Sequence, residues 1–419
     1  MSKKLSKKNA FLIFFIGLAG QIAWAVENQY YNVFMYNAIT PEPLWVSVMV
    51  AASAIMATIT AIIMGSFSDI LGKRKPFLVY GFLFWTITTA IFPLAALLHP
   101  VIVAVMIAIL FDCVMTFFGS TAYDATFNAY VIDITTVENR GKALGILQLT
   151  LVISTMVTYG ISGYIISAFG YYFFFYMVGF IVGIFGFVGA LFVKEPQNLK
   201  PLNVKLWDHI KSTFKKDSFI QNKDCFLVLT GATIWGIGFN VFFPFILIYL
   251  QYYIGLTIET ASLVVLIAFI FTISAAYPIG LLTDKLGRKK IAIYSVIFDS
   301  IAIILFAFSR DIIFLIITGA LTQVFMTSWN ISANTWIRDH YPEDKYGQFS
   351  GYFILFTVLF TMIPGPLLGG WLSTAFGIPA IIDGKPGYIP TPIIYVIASI
   401  IMVFAIMPLL KAKETTRKD

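Results

Sequence analysis

Four carboxylic acids lie inside long apolar runs of the chain, Glu27, Asp112, Asp124 and Asp299, and no Lys or Arg lies in any of those runs. A charge set in hydrocarbon is costly unless it faces a wet cavity or a partner. With no cation at the same depth, each acid either takes up a proton, binds a cation or meets water. Reversible proton or cation binding is the chemistry these residue types offer.

Glu27 stands in GQIAWAVENQYYN (residues 20–32), a polar stretch for a membrane helix. At 100° per residue Gln21, Asn28 and Asn32 share a stripe, with Trp24, Glu27 and Tyr31 on its flank. Amides and acids hydrogen-bond hydroxyls and aromatic rings cover apolar ring faces, so the stripe suits a sugar-like solute. Amides that only glue helices together are the open structural alternative. Asp124 comes one helical turn before Asn128 in YDATFNAYV, which puts both on one face. Asp112 lies about 18 Å further along the same helix, near the depth of Glu27, as a second coupling candidate. Asp299 has no such company and is expected to play a minor part.

In the second half, QVFMTSWNISANTW (323–336) brings Gln323, Asn330 and Asn334 close to one face, and Trp235 and Asn240 are placed to complete a cavity. A Trp or Asn at a seam between helices is equally common without a ligand.

The elements holding these residues follow from composition. Of 419 residues, 59% are hydrophobic and 12% charged, against roughly 25% charged in soluble domains. Twelve apolar runs can each span a bilayer as helices, near 10–37, 44–67, 76–98, 101–132, 143–168, 171–193, 225–253, 259–282, 291–308, 311–337, 348–375 and 392–410. With the N-terminus on the cytoplasmic side, 26 of the 28 Lys and Arg fall on that side, leaving only Arg310 and Lys385 opposite. This positive-inside pattern puts both termini in the cytoplasm. It also explains the net charge of +7 without a nucleic-acid partner. The first run is too long, and lacks a small-residue cleavage site, to be a removable signal peptide. Cys113 and Cys225 fall near opposite membrane faces and read as free thiols.

The chain also repeats itself. A shift of 215 aligns Gly65, Asp69, Gly72 and Lys75 with Gly280, Asp284, Gly287 and Lys290; a shift of 206 aligns Asn128, Asp133, Glu138, Gly141 and Gly145 with Asn334, Asp339, Asp344, Gly347 and Gly351. Two six-helix halves follow, 1–193 and 225–419, with a basic cytoplasmic linker at 194–224. In that linker Leu206, Trp207, Ile210 and Phe214 recur at helical spacing beside lysines, as in a helix lying on the membrane surface. A basic loop without structure is the alternative.

GSFSDILGKRK (65–75), nearly repeated as GLLTDKLGRKK (280–290), and DITTVENRGKALG (133–145) resemble the loop motifs of the major facilitator superfamily, over essentially the whole chain. The resemblance implies an all-α membrane protein of two pseudo-symmetric six-helix bundles. It also implies secondary transport by alternating access about a midplane site.

Gly65 and Gly280 are expected to allow close helix approach, and Gly72 and Gly287 a tight turn. Asp69 and Asp284 are placed to face helix N-termini, by the resemblance those of spans 11 and 5. Lys73, Arg74 or Lys75 is expected to pair with Asp133. With Arg140 and Arg288 these residues form a cytoplasmic gate; anchoring to anionic lipid is the competing role of the cations.

The acids of spans 1 and 4 resemble those of proton-coupled fucose permeases, which implies coupling and sugar binding at Glu27, Asp124 and Asn128. Drug/proton antiporters carry Gly-Pro-x-x-Gly-Gly in span 5. Here that stretch is YGISGY (159–164), and GPLLGG (365–370) stands in span 11 instead. GQIAWA is similar to a stretch of plant sucrose transporters and LGKRKPF to one of glycoside–cation symporters, whose fuller signatures are missing.

No phosphate loop is present, so ATP hydrolysis by this chain is not expected to drive transport. His99, His209 and His340 lack metal-ligand spacing, no reactive cluster points to an enzyme, and no metal or cofactor is expected. The expected activity is proton-coupled symport of a neutral hydroxylated solute by a monomer in the plasma (inner) membrane. A proton-coupled exporter of lipophilic or cationic compounds is the alternative, and a sensor or lipid scramblase on the same fold a third reading. Protons are favoured over sodium because isolated carboxylates without a cage of oxygen ligands suit protonation.

Overall fold

The computed structural model describes residues 5–196, 199, 201–202, 206–207, 222–342 and 346–414. Among them, eleven helical runs are long and apolar enough to cross a membrane. They are α1 (Lys7–Ile39), α2 (Pro43–Leu71), α3 (Lys75–Leu97), α4 (Val101–Asp133), α5 (Asn139–Leu191), α6 (Lys223–Tyr253), α7 (Ile258–Leu286), α8 (Arg288–Phe308), α9 (Ile312–Asp339), α10 (Gly351–Ala375) and α11 (Ile393–Lys411). The count is one short of the twelve expected because spans 5 and 6 fall in the single run α5. Its 53 residues would extend about 80 Å as one helix, more than twice the hydrocarbon thickness. Gly170, at φ 77° and ψ 171°, breaks the run internally.

Capping side chains start several helices. Ser6 accepts from the Asn9 amide ahead of α1, and Asp311 accepts from the Ile313 and Phe314 amides at the start of α9. Thr136 and Asn139 cap each other reciprocally before α5. Outward-facing side chains are apolar, as on Tyr277 and Phe180, which are 76% and 67% exposed. Such a surface is stable against lipid rather than water.

Residues 1–40 with 52–212 form one compact unit, and 41–51 with 213–419 form another. In the first, α1 packs along α5, and α3 along α4 and α5. In the second, α8 packs on α9 and α11, α7 on α9, and α6 on α10 and α11.

The all-α expectation needs one amendment. Ile378–Ile382 and Lys385–Ile389 pair as an antiparallel hairpin, β1 and β2, in register from Ile378 opposite Ile389 to Ile382 opposite Lys385. Asp383 and Gly384, at φ 48° and 75°, make its two-residue turn. The hairpin belongs to the second unit, where the Tyr388 amide donates to the Pro41 carbonyl and Thr374 Oγ1 to Glu42 Oε1. GPLLGG lies in α10 of the same unit: a Cβ on Gly369 would overlap the Val241 carbonyl, and one on Gly370 would overlap Ser47. These glycines let backbones meet. The expected interfacial helix through Leu206, Trp207, Ile210 and Phe214 lies largely outside the described residues.

Candidate functional site

In the first unit the polar residues sit on helices whose hydrogen bonding is locally widened. Glu27–Tyr31 in α1 and Ser120–Phe127 in α4 are π-helical turns. Such turns insert one extra residue and recur at functional sites. Each one shifts the facing of everything beyond it, so 100° per residue does not carry through.

Glu27 is buried, and its Oε1 accepts from Ser53 Oγ of α2 at 2.8 Å. Asp112 of α4, 1% exposed, lies within electrostatic reach of Glu27, and its Oδ1 has no hydrogen-bond partner. Asp124 is exposed and accepts from Ser120 Oγ at 3.0 Å. Asn128 is exposed beside it, its amide reaching the Asp124 carbonyl at 3.5 Å. The unit therefore holds two kinds of acid: a buried pair, Glu27 and Asp112, and an open one, Asp124.

Gln21, half-buried, donates to the Tyr123 hydroxyl at 2.8 Å. Trp24 packs on Trp85 with ring centres 5.0 Å apart, and Trp85 Nε1 donates to Met115 Sδ at 2.8 Å. Tyr31 is buried and stacks on Phe92 at 3.7 Å. Asn28 and Asn32 are partly spent on their own helix: their amides donate to the carbonyls of Trp24 and Asn28, at 2.7 and 2.8 Å.

The second unit gives Asp299 the company expected to be missing. Its Oδ2 accepts from Trp235 Nε1 at 3.2 Å, and it is 1% exposed. Trp235 in turn stacks on Trp329 at 5.3 Å and on Phe239 at 5.5 Å. A side-chain partner on α6 was invisible from α8's own neighbours in sequence. Asn240 is buried and donates to the Gly236 carbonyl at 2.8 Å. A Cβ on Gly365 would press on Asn240, which makes this residue part of a helix seam. Gln323 lines a crevice with Phe239, Phe242, Phe306 and Tyr395 that holds about 40 Å³ of free space. That is room for one or two waters rather than a drug-sized molecule. Asn330 and Asn334 are half-buried on the same helix.

The charged loops are built alike in both units. Of the three cations at 73–75, Arg74 reaches Asp133, Nε to Oδ2 at 2.8 Å. Its other nitrogens bind Asp69 at 2.7 Å and Ser68 Oγ at 2.8 Å. Arg288 pairs with Asp339 in the second unit. Glu195 accepts from the backbone amides of Arg74 and Lys75 at the start of α3, at 2.8 and 2.9 Å. Glu414 accepts from the Lys289 amide at the start of α8 at 3.3 Å. Neither glutamate stood out in sequence, although each follows a Lys just past the end of a span.

Gly72 and Gly287 take positive φ, 61° and 94°, as their turns require. Gly65 and Gly280 do not mark close approaches: a Cβ at Gly65 would sit 3.9 Å from Ala125, and one at Gly280 would meet nothing within 4 Å. The turns, not those two positions, demand glycine. Asp284 is exposed, and half-buried Arg140 reaches Thr135 Oγ1 at 3.5 Å. Both cysteines are free thiols. Among the described residues no cluster of three or more His, Cys, Asp or Glu could hold a metal ion.

A model of the Major Facilitator Superfamily matches residues 10–251 and 228–419. The multidrug resistance protein MdtG of Proteus mirabilis is 29% identical over 211 residues, 49% of this chain and 47% of that protein. MdtG of Rahnella is 26% identical over 203 residues, 47% of this chain and 46% of that protein. The chain spans about half the length of the curated relatives it matches. Among solved structures, a D-xylose–proton symporter superposes with a TM-score of 0.77 at 14% identity, covering 98% of this chain and 99% of that one. The nucleoside transporter NupG gives a TM-score of 0.74 at 14% identity, covering 96% and 99%. At such identities the likeness is one of fold. With the family model matching nearly the whole length, the chain belongs to the Major Facilitator Superfamily and is an integral, multi-pass membrane protein.

Proposed function

We propose that the chain is a proton-coupled symporter of a neutral, hydroxylated solute such as a sugar, working by alternating access in the plasma membrane. The observation that carries this reading is the arrangement of Glu27, Asp112 and Asp124 on two helices of one unit, with no cation at their depth and with amides and aromatic rings around them. An acid that must shed its charge to be enclosed, and regain it when opened, links proton movement to a conformational cycle. Glu27, Asp124 and Asp112 are the coupling residues. Gln21, Trp24, Asn28, Tyr31, Asn32 and Asn128 contribute to solute binding from the first half, and Trp235, Asn240, Gln323, Asn330 and Asn334 from the second. The absence of Lys or Arg inside the spans argues against a dedicated carrier of multivalent anions.

Counting α5 as two crossings, broken at Gly170, gives twelve spans in two related halves, with both termini cytoplasmic. The Arg74 and Arg288 clusters then lie on the cytoplasmic side as a duplicated gate. Uptake of labelled sugars into proteoliposomes under an imposed pH gradient tests the reading. Gradient-driven accumulation supports it; no sugar uptake, together with proton-dependent efflux of a lipophilic cation, overturns it.

The second reading, export of lipophilic or cationic compounds, is favoured by the half-length likeness to proteins named for multidrug resistance. The missing proline in YGISGY weighs against it.

A further inference from the structure

Arg310 stands in the turn Ser309–Arg310–Asp311 between α8 and α9, two runs each able to cross a membrane, and so lies at a membrane face. Its guanidinium is held from several sides. Nη1 donates to the carbonyls of Ala307 and Ser309 at 3.0 and 2.9 Å, and Nη2 donates to the Tyr253 hydroxyl at 3.1 Å. The group also lies over the Tyr253 ring at the end of α6, 4.8 Å from its centre. Capping the end of α8 does not by itself call for an arginine, because the Ala307 carbonyl already accepts from the Tyr249 hydroxyl at 2.5 Å. The neighbouring carboxylate is engaged elsewhere: Asp311 Oδ1 accepts from the Ile313 and Phe314 amides. Among the described residues Arg310 makes no ion pair. The turn thus presents a fixed positive charge without a counter-ion.

That charge borders a hollow. Arg310 and Asp311 line an open space of about 440 Å³ together with Ile304, Leu305, Phe308 and Phe314. Arg310 is exposed, and so are all four apolar side chains. The volume falls within the roughly 300–1,000 Å³ of sites that hold small molecules. A polar solute would gain little from four apolar walls, and a bare hydrocarbon chain would leave the guanidinium unpaired. An amphiphile with an anionic head and a hydrocarbon tail satisfies both. Bilayer lipid against the other apolar faces meets no such fixed cation.

We infer that the turn between α8 and α9 is a binding site for a phospholipid, its headgroup phosphate on Arg310 and its upper acyl chain along Leu305, Phe308 and Phe314. Guanidinium N–H groups match phosphate oxygens in charge and geometry. Three of the five are engaged within the turn and on Tyr253, so the group is held in place with donors left over. The recognised chemistry is a phosphate joined to a hydrocarbon tail; free phosphate lacks the tail and diacylglycerol lacks the head. Because Arg310 also grips Tyr253, a bound lipid braces the end of α6 against the α8–α9 turn and stabilises the second unit. The site is independent of which solute the chain carries.

Dioleoyl phosphatidylglycerol is titrated onto the purified full-length protein in detergent, with bound lipid counted by native mass spectrometry and the thermal midpoint read on the same samples. One lipid is expected to bind more tightly than the rest and to raise the midpoint. Its dissociation constant should rise roughly tenfold in Arg310→Gln and less in Arg310→Lys, which keeps the charge. Phe314→Ala leaves every partner of Arg310 in place and should weaken the lipid several-fold through the lost wall. Lys385→Gln, a cation outside the hollow, should leave binding unchanged. Dioleoylglycerol should bind at least tenfold more weakly, and inorganic phosphate should not displace the lipid. Binding unchanged in both Arg310→Gln and Phe314→Ala overturns the site. So does dioleoylglycerol binding as tightly as the phospholipid, or displacement by inorganic phosphate. An equal loss in Lys385→Gln and Arg310→Gln would reduce it to unspecific charge attraction and overturn it too. If Arg310→Gln fails to fold, Phe314→Ala and the dioleoylglycerol comparison decide.

Discussion

Arg74 lies at the start of α3, yet its Nε binds Asp133 at the far end of α4, 2.8 Å away, while the same guanidinium holds Asp69 and Ser68. A planar fork reaches three separate acceptors from three different nitrogens, whereas an ammonium must direct its three donors from a single point. Arg74→Lys is therefore expected to lose at least one partner and to lower the thermal midpoint. Arg74→Ala, which leaves Asp133 and Asp69 without compensation, should cost more, about 2–4 kcal/mol. Thermal melts of the two variants in one detergent give the ranking, and equal midpoints for wild type and Arg74→Lys would refute the three-way contact.

Glu195 and Glu414 hold the amide ends of α3 and α8, where backbone N–H groups are unsatisfied and the helix dipole favours negative charge. Removing such a cap typically costs about 1 kcal/mol. Glu195→Ala should lower stability by that order and Glu195→Gln by less, since the amide oxygen still accepts. Because Glu195 binds two amides and Glu414 one, Glu414→Ala should cost less than Glu195→Ala. The reverse order in parallel melts would contradict the geometry.

The membrane helices and the duplicated loops were legible from local signals: apolar run length, Lys/Arg placement, and Gly-Asp-Gly spacing. What stayed hidden depended on which helix lies beside which. Ser53 against Glu27, Tyr123 against Gln21 and Trp235 against Asp299 join residues 26, 102 and 64 apart in sequence, and periodicity within one helix cannot report them. The π-helical turns at 27–31 and 120–127 defeated the face arithmetic itself, so Asn28 and Asn32 serve backbone carbonyls that the sequence reading left out. The hairpin, by contrast, was legible: Asp-Gly at 383–384, between Ile381-Ile382 and Lys385, is a strong two-residue turn signal.

Glu27→Gln and Asp124→Asn should abolish gradient-driven solute accumulation while sparing exchange across the membrane, because exchange needs no net release of a proton. Ser53→Ala should fall between wild type and Glu27→Gln, as it removes the donor to Glu27 and leaves the acid. Accumulation at the wild-type level in both acid variants would refute the coupling assignment. Equal accumulation in Ser53→Ala and wild type would show that the 2.8 Å bond does not matter to the cycle.

Asp299 and Trp235 make an asymmetric pair. Asp299→Asn keeps an oxygen that can accept from the indole, and it removes the ionisable group from a buried site. It should leave the thermal midpoint near that of wild type. Trp235→Phe keeps the ring stack on Trp329 but takes away the donor, leaving buried Asp299 with neither oxygen bonded. That variant should lose about 1–3 kcal/mol, and Asp299→Asn placed on the same background should lose less than Trp235→Phe with Asp299 retained. Losses that simply add would exclude coupling between the two side chains.

The hairpin offers a test of backbone contact against turn strain. A Cβ at Gly387 would overlap the Pro41 carbonyl, the group that accepts from the next residue's amide, so Gly387→Ala must push β2 away and lose that bond. At Gly384 nothing lies within 4 Å, and only its φ of 75° resists a side chain. Asn tolerates that conformation better than Ala does. Gly384→Asn should therefore melt near wild type, Gly384→Ala should lose about 1 kcal/mol, and Gly387→Ala should lose more, about 1–3 kcal/mol. Since Glu42 and Ser47 of the same unit bind Thr374 and the Pro366 carbonyl, the damage at Gly387 should also raise the reactivity of a cysteine placed at Ser47. A cysteine there that reacts no faster in the Gly387→Ala background would show that the hairpin does not hold residues 41–51 against α10.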